Sequence, residues 1–196
     1  PKRGGTLSLR TWDPPHFDHI LAHAYKTHVV ISFTHSRLLK HKAGPGVRPG
    51  SFPIEGDLAE SWQQTNDTTY VFKLKKGVRF HAKPPVDGRE LTAEDVKYTF
   101  ERMLTQPGSN ASMYRSIAKI EAVDRYTVRF TLSEPFAWFL DMVASPMAGG
   151  IVAPLLITGP VWAVVLGFRM WKRHPNAGRA LRRTHAAFLV IDALLI

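Results

Sequence analysis

Cysteine is absent from the 196 residues. No disulfide framework, thiolate metal site or cysteine nucleophile can therefore be built here. That absence does not decide the compartment. Also missing are the Gly-x-Ser-x-Gly nucleophile elbow and the His-Glu-x-x-His zinc motif, and no nucleophile, base and orienting group fall into a recognisable arrangement. The expectation is a chain that binds rather than catalyses, with no cofactor. Acidic residues are scarce beside basic ones, 16 against 26, which gives a formal charge of +10. Such a surplus raises nucleic acid or an anionic membrane as a partner, but its distribution argues otherwise. Residues 1–154 carry 20 Lys/Arg against 15 Asp/Glu, spread along the chain, whereas residues 155–196 carry six against one. The basic residues lack interleaved aromatics on a recognisable reader fold, so nucleic acid is not an expected partner. An apolar content of 44% is enough for a real core, and the length allows one large or two small domains.

The stretch 69–104 organises what is present. Tyr70, Phe72 and Leu74 alternate with Val71, Lys73 and Lys75, the period of a half-buried strand. Lys76-Gly77 breaks the run, and Val78 and Phe80 resume it, which predicts a tight hairpin. After Asp87-Gly88, Thr92 stands at an N-cap with Asp95 three residues on as the acid of a capping box. Leu91 and Val96 form a hydrophobic staple. Val96, Phe100, Met103 and Leu104 then make one apolar stripe on a helix that Pro107-Gly108 stops.

Elsewhere the pattern is coarser. Thr6–Arg10 reads as a short strand broken at Trp12-Asp13-Pro14-Pro15, and 17–39 is helical in places. On such a helix His16, His19 and His23 would share a face suited to Zn²⁺ or Ni²⁺, but no carboxylate or second-shell partner can be placed. A solvated histidine face is the favoured reading, and no metal site is assigned. Lys40–Pro53 is a Gly- and Pro-rich surface connector without the P-loop pattern. Asp57–Trp62 reads as a helical turn, and Asn66-Asp67 as a turn into the central hairpin. Ile117–Val123 and Tyr126–Leu132 flank Asp124-Arg125 as a second hairpin. Ala137–Ala144 follows as a short apolar helix.

Five blocks occur in one order: GGTL from Gly4, DLAESW from Asp57, YVFKLKKGVRFH from Tyr70, DGRELTAEDVKYTFERM from Asp87 and AVDRYTVRFTLSEPF from Ala122. Together they resemble the extracellular solute-binding proteins of the peptide/nickel class, the receptors that serve ABC importers. The resemblance covers roughly residues 3–154. It implies a mixed α/β fold, the N-terminal lobe of a type II periplasmic binding protein, here the start of the large lobe plus the small lobe. It also implies a peptide ligand, an ABC permease partner and an extracytoplasmic setting. The opening KRGGTL looks like the mature start of an exported protein. By the same resemblance, the first strand-to-loop passage borders the ligand cleft, which makes Trp12 and Asp13 candidate contacts. His35 lies where the family turns toward the cleft, and Tyr114 sits in a loop whose aromatic can approach the ligand. Each has a plainer alternative: a packed turn for Trp12 and Asp13, a capping or surface histidine for His35, and a partly buried loop aromatic for Tyr114.

The resemblance breaks after Pro154. From Met142 to Phe168 no residue is charged, and a basic loop and the apolar run 186–196 follow. The stretch is long enough to cross a bilayer, although Pro146, Pro154 and Pro160 would kink it. Residues 155–196 thus read as an apolar and basic helical hairpin with membrane contact through 148–196. A buried hairpin in a soluble fold, and a tail joined by frame error or gene fusion, stay open. The leading functional expectation is a truncated substrate-binding component whose single wall binds peptide weakly or not at all. The alternative is a membrane-anchored small protein with a receptor-like exported domain.

Overall fold

The structure, a computed structural model, describes residues 18–21, 25–109, 111–145 and 152. The chain divides into two units. In the first, the elements run α1 (Tyr25–Ser32), β1 (Leu39–His41), β2 (Ile54–Gly56), β3 (Ala59–Asn66), β4 (Thr69–Leu74), α2 (Ala93–Thr105), α3 (Ala111–Tyr114), β5 (Ile117–Asp124), β6 (Thr127–Leu132) and α4 (Phe139–Ala144). In the second, only residues 82–87 are described. They form a loop in which the Asp87 N–H donates to the Lys83 carbonyl at 3.0 Å.

Four strands form an antiparallel sheet in the order β3-β4-β6-β5. The alternation read in the sequence is what one buried face requires: Tyr70, Phe72 and Leu74 on β4 and Val128, Phe130 and Leu132 on β6 are all 4% exposed or less. The register sets Phe130 opposite Tyr70 on one side and Ile120 on the other. Helix α2 lays Val96, Phe100 and Met103 against this sheet. Its start carries the expected capping box, with the Thr92 N–H and hydroxyl both donating to Asp95 Oδ2, at 2.9 and 3.2 Å. Leu91 and Val96, the staple pair, are both buried. Asp95 also receives the Arg89 guanidinium as a fork, through Nη1 to Oδ2 at 2.9 Å and Nη2 to Oδ1. The helix entry is thereby held by a hydrogen-bonded cap and an ion pair on the same carboxylate. Its Asp95 side chain is only 1% exposed.

Three expectations are corrected. Val78–Phe80 does not turn back on β4, because both edges of β4 are already occupied by β3 and β6. The segment pairs instead with the approach to α2, with Phe80 N–H on Arg89 O at 3.0 Å and Leu91 N–H on Val78 O at 2.8 Å. Gly77 makes the turn at φ 74°, where a side chain would be strained. Second, Asp57–Trp62 is not a helical turn: the strand β3 begins at Ala59, and pairing with β4 overrides the helical spacing of Leu58 and Trp62. Gly56 permits that sharp entry, since a Cβ there would lie 2.2 Å from the Ala59 carbonyl oxygen. Third, the connector 42–53 is the long loop of a hairpin, because β1 and β2 pair antiparallel across it.

The second hairpin and the short helix stand as read, as β5-β6 and α4. The helical stretch within 17–39 is α1. The strand at 6–10, residues Trp12, Asp13, His16 and His23, and the tail from 155 onward lie outside the described residues. Among the described residues no helix is long and apolar enough to cross a membrane.

Replacing Asp95 by Ala should lower unfolding stability by about 2 kcal/mol, because it removes both the capping acid and the carboxylate that Arg89 grips as a fork. Urea denaturation checks this. Glu101→Ala, which breaks only the exposed Lys97–Glu101 pair at 4.0 Å, should change stability by less than about 0.5 kcal/mol.

Candidate functional site

The pairing of β5 with β6 brings two segments together at one end of the sheet. Ile117 faces Leu132, so the residues that lead into β5 lie beside those that leave β6. The Ser133 N–H donates to the Ser116 carbonyl at 2.8 Å and extends the ladder by one step. Between the segment 112–116 and the segment 133–145 runs an open groove of about 770 Å³. Ser112, Met113, Arg115 and Ser116 line it from the first segment. Glu134, Phe136, Trp138, Asp141 and Met142 line it from the second, and His41 of β1 stands at its margin.

Helix α4 explains how the second wall is built. Phe139 and Val143 are fully buried against the sheet, and Met142 is 9% exposed. Trp138 stands at the N-cap, before this helix, and is 69% exposed. A large aromatic left in water on a groove wall is an adaptable contact surface for an apolar ligand group. Met113, 41% exposed on the other wall, adds a polarizable one. Among the described residues the side chains of Arg115, Glu134 and Asp141 make no hydrogen bond or ion pair, so the groove holds charges of both signs that the fold does not consume. The Ser116 hydroxyl is buried without a hydrogen-bond partner among the described residues.

Of the residues singled out in the sequence, Tyr114 lies in the segment that lines the groove but its side chain is turned into the core. It is 4% exposed and packs edge-on against Phe100 at 5.7 Å, and burial pushes its phenol well above the usual range. Its neighbours on either side line the groove. His35 follows α1, away from the groove lining, with its Nδ1 2.8 Å from the Thr34 hydroxyl. Partial burial and the nearby His81 hold its ring below the ordinary imidazole range, against an opposing effect of the Ile31 backbone. Trp12 and Asp13 lie outside the described residues. Trp138 was not singled out because 137–144 reads as one short apolar helix.

The histidine face is only partly described. His19 is partly buried: desolvation drives its pKa down to about 4, with Asp18 opposing, and its Nε2 has no hydrogen-bond partner among the described residues. Asp18 itself is bound by Arg102 at 2.7 Å. Burial acts to raise the Asp18 pKa and is outweighed by Arg102 and the Ile20 N–H, so the net shift is downward. Among the described residues no three His, Asp or Glu side chains are grouped to hold a metal.

Comparison with known proteins identifies the architecture. The family model for bacterial extracellular solute-binding proteins, family 5 Middle, matches residues 53–158, more than half of the chain. Over 125 residues, 63% of this chain, it is 38% identical to the probable D,D-dipeptide-binding periplasmic protein DdpA of Escherichia coli K12. That match takes in 23% of the relative, so the chain spans roughly a quarter of the length of the curated relatives it matches. The solved structure of MoaA from A. tumefaciens R10 with mannopinic acid superposes at a TM-score of 0.63 and 27% identity, over 84% of this chain and 29% of that one. DppA from Helicobacter pylori with the peptide STSA gives 0.61 and 27%, over 84% and 32%. These neighbours are type II periplasmic binding proteins of mixed α/β content.

Two outcomes separate core from groove. Tyr114→Ala should cost about 3 kcal/mol in urea unfolding, whereas Trp138→Ala should stay within about 0.5 kcal/mol of the parent. A second test uses pH. The folded-state pKa of His19, about 4, lies below its ordinary 6.5, so the unfolded chain takes up the proton first. Stability is therefore whole above pH 6.5 and falls as pH drops from 6.5 toward 4, by about 2 kcal/mol from this group. Urea midpoints at pH 7 and 4.5 should show that loss, and His19→Leu should flatten it.

Proposed function

The chain belongs to the bacterial extracellular solute-binding proteins of family 5, and from that premise we propose that it forms one wall of the substrate-binding component of an ABC importer for dipeptides or oligopeptides. The receptor-like part runs over 1–154, and 155–196 is of a different kind. The observation that carries this reading is the groove at the paired ends of β5 and β6. It has an apolar lining, an exposed indole and unspent charges, the features that fix the orientation of a small amphipathic ligand. Relatives named for dipeptides and for di- and tripeptides support the ligand class.

On this reading the activity is binding, outside the cytoplasm, followed by delivery to a membrane permease. Two-lobed receptors bury the ligand by hinge closure, and most of the affinity comes from that burial. A groove open to solvent on one side keeps only a fraction of it. A second lobe closing over residues 112–116 and 133–145 would complete the enclosure.

Isothermal titration of this chain with a pool of di- to pentapeptides should show no micromolar binding. Amide ¹H–¹⁵N shifts with the same pool should saturate in the millimolar range, roughly the affinity left to a ligand held on one side. Micromolar heats would contradict the single-wall account. Absence of any saturable shift up to tens of millimolar would remove the peptide reading.

A further inference from the structure

We infer that the free edge of β5 pairs with the same edge of a second copy of this chain, antiparallel and centred on Ile120, so that Lys119 of each copy lies across from Glu121 of the other. The surface is outside the groove lining, and the inference is independent of peptide binding.

Among the described residues β5 ends the sheet, bonded to β6 on one side and to no strand on the other. Beside it lies an open cleft of about 530 Å³, lined by Lys97, Glu101 and Leu104 of α2 and by residues 118–122. Hydrogen bonding fixes which backbone groups of β5 face that edge. The Leu132 N–H donates to the Thr68 carbonyl and the Leu74 N–H to the Tyr126 carbonyl, so the even-numbered positions of β6 turn toward β4. Arg129 and Thr131 therefore turn toward β5, where they are paired with Glu121 and Lys119. Those two residues spend their backbone groups on β6, and Ile120 between them presents its N–H and carbonyl outward.

An unpaired edge is a template for another strand, and bulges or a lone lysine are the usual guards against it. Here the register shifts at 117/119 and 122/124 leave 119–122 as the regular stretch. Its lysine is not alone, because Glu121 follows two residues on, on the same face, with Lys119 Nζ 2.8 Å from its Oε1. In an antiparallel pair, side chains directly opposite share a face while neighbours in sequence do not. A two-fold axis must therefore set one residue opposite its own copy. Centring on Lys119 or on Glu121 opposes like charges, and centring on Ala122 runs into the shift before Asp124. Centring on Ile120 gives one hydrogen-bonded Ile120 pair flanked by two Lys119–Glu121 cross-strand pairs. Signs then alternate around the axis, and each Glu121 keeps its own Lys119 while meeting a second. Arg129, 3.8 Å from Glu121, lies on β6, one strand farther from the axis. The other edge, β3, is uncharged over Ser61–Gln64 between its two shifts, so no charge selects a register there.

The test is sedimentation equilibrium of the full chain at low salt, from about 10 µM to about 1 mM, where so short a pairing should carry the mean mass from one chain toward two with a Kd on the order of 0.1 mM. Glu121→Lys, which makes the edge wholly positive, should stay monomeric, and so should Lys119→Glu, which makes it wholly negative. Mixed in equal amounts, these two variants should form a one-to-one dimer. The double exchange Lys119→Glu with Glu121→Lys should dimerise as the parent does. Amide hydrogen exchange of the parent supplies a readout that needs no substitution: the Ile120 amide should slow as concentration rises, while that of Glu121, already bonded to β6, should not. A parent that stays monomeric to the top of that range would overturn the inference. So would a dimer that persists in both single variants, folded variants that fail to combine, or dimerisation without slowing at Ile120.

Discussion

Phe130 stands 4.9 Å from Phe100, 5.5 Å from Phe72 and 5.7 Å from Phe139, with no exposed surface of its own. Those three partners come from α2, β4 and α4, so one side chain on a central strand joins the helix, the neighbouring strand and the element that follows the sheet. Its contacts with Phe100 and Phe72 are edge-to-face, the arrangement the ring quadrupole favours. The strand that carries it is hydrogen-bonded on both sides, to β4 and to β5. Everything that positions the groove passes through this point: β5 and β6 fix the relative height of residues 116 and 133, and Phe139 pins the start of α4, against which Trp138 projects outward.

The charge chemistry divides along the same line. Ion pairs that are part of the scaffold are short and partly shielded, as with Asp95 in its fork with Arg89 or Asp18 against Arg102. The hydrogen bonds of Glu90 to Gly77, Arg125 and Tyr126 bind the entry of α2 to the turn between β5 and β6, and the Gly77 N–H is the strongest influence holding that carboxyl below its ordinary range. Among the described residues, Arg115, Glu134 and Asp141 at the groove have no such duties. A fold that satisfies its structural ions locally can leave others for a ligand without a penalty to its own stability, since exposed single charges contribute little to folding.

How much of this was legible in the chain varies with the kind of signal. The capping box at Thr92 and Asp95, the alternation of Tyr70 to Leu74 and Tyr126 to Leu132, and the Asp124-Arg125 turn are local patterns with local causes, and they appear in the fold where they were read. The hairpin expected at Lys76-Gly77 failed for a reason that no local pattern holds: β4 pairs with a strand more than fifty residues away, so its edge was taken. Asp57–Trp62 failed in the same way, because cross-strand pairing decided a segment of ambiguous spacing. At the groove, Tyr114 belongs to a lining segment but its own side chain is packed in the core. A single helical turn placed the aromatic inward and presented Met113 and Arg115 instead, a choice that depends on where the core lies. The family resemblance supplied the type of fold, and the geometry supplied which residues face the groove.

The Phe130 core and the two groove walls form one cooperative body, so that the groove is held by the sheet and is not a separate flap. Native-state amide hydrogen exchange at increasing urea measures this directly. The amides of β4 and β6 and those of Met142 and Ser133, hydrogen-bonded to Trp138 and Ser116, should converge on a single opening free energy equal to that of global unfolding. If the 133–145 amides instead exchange through a separate opening well below the global value, with β4 and β6 still closed, the groove does not belong to the scaffold and the account fails.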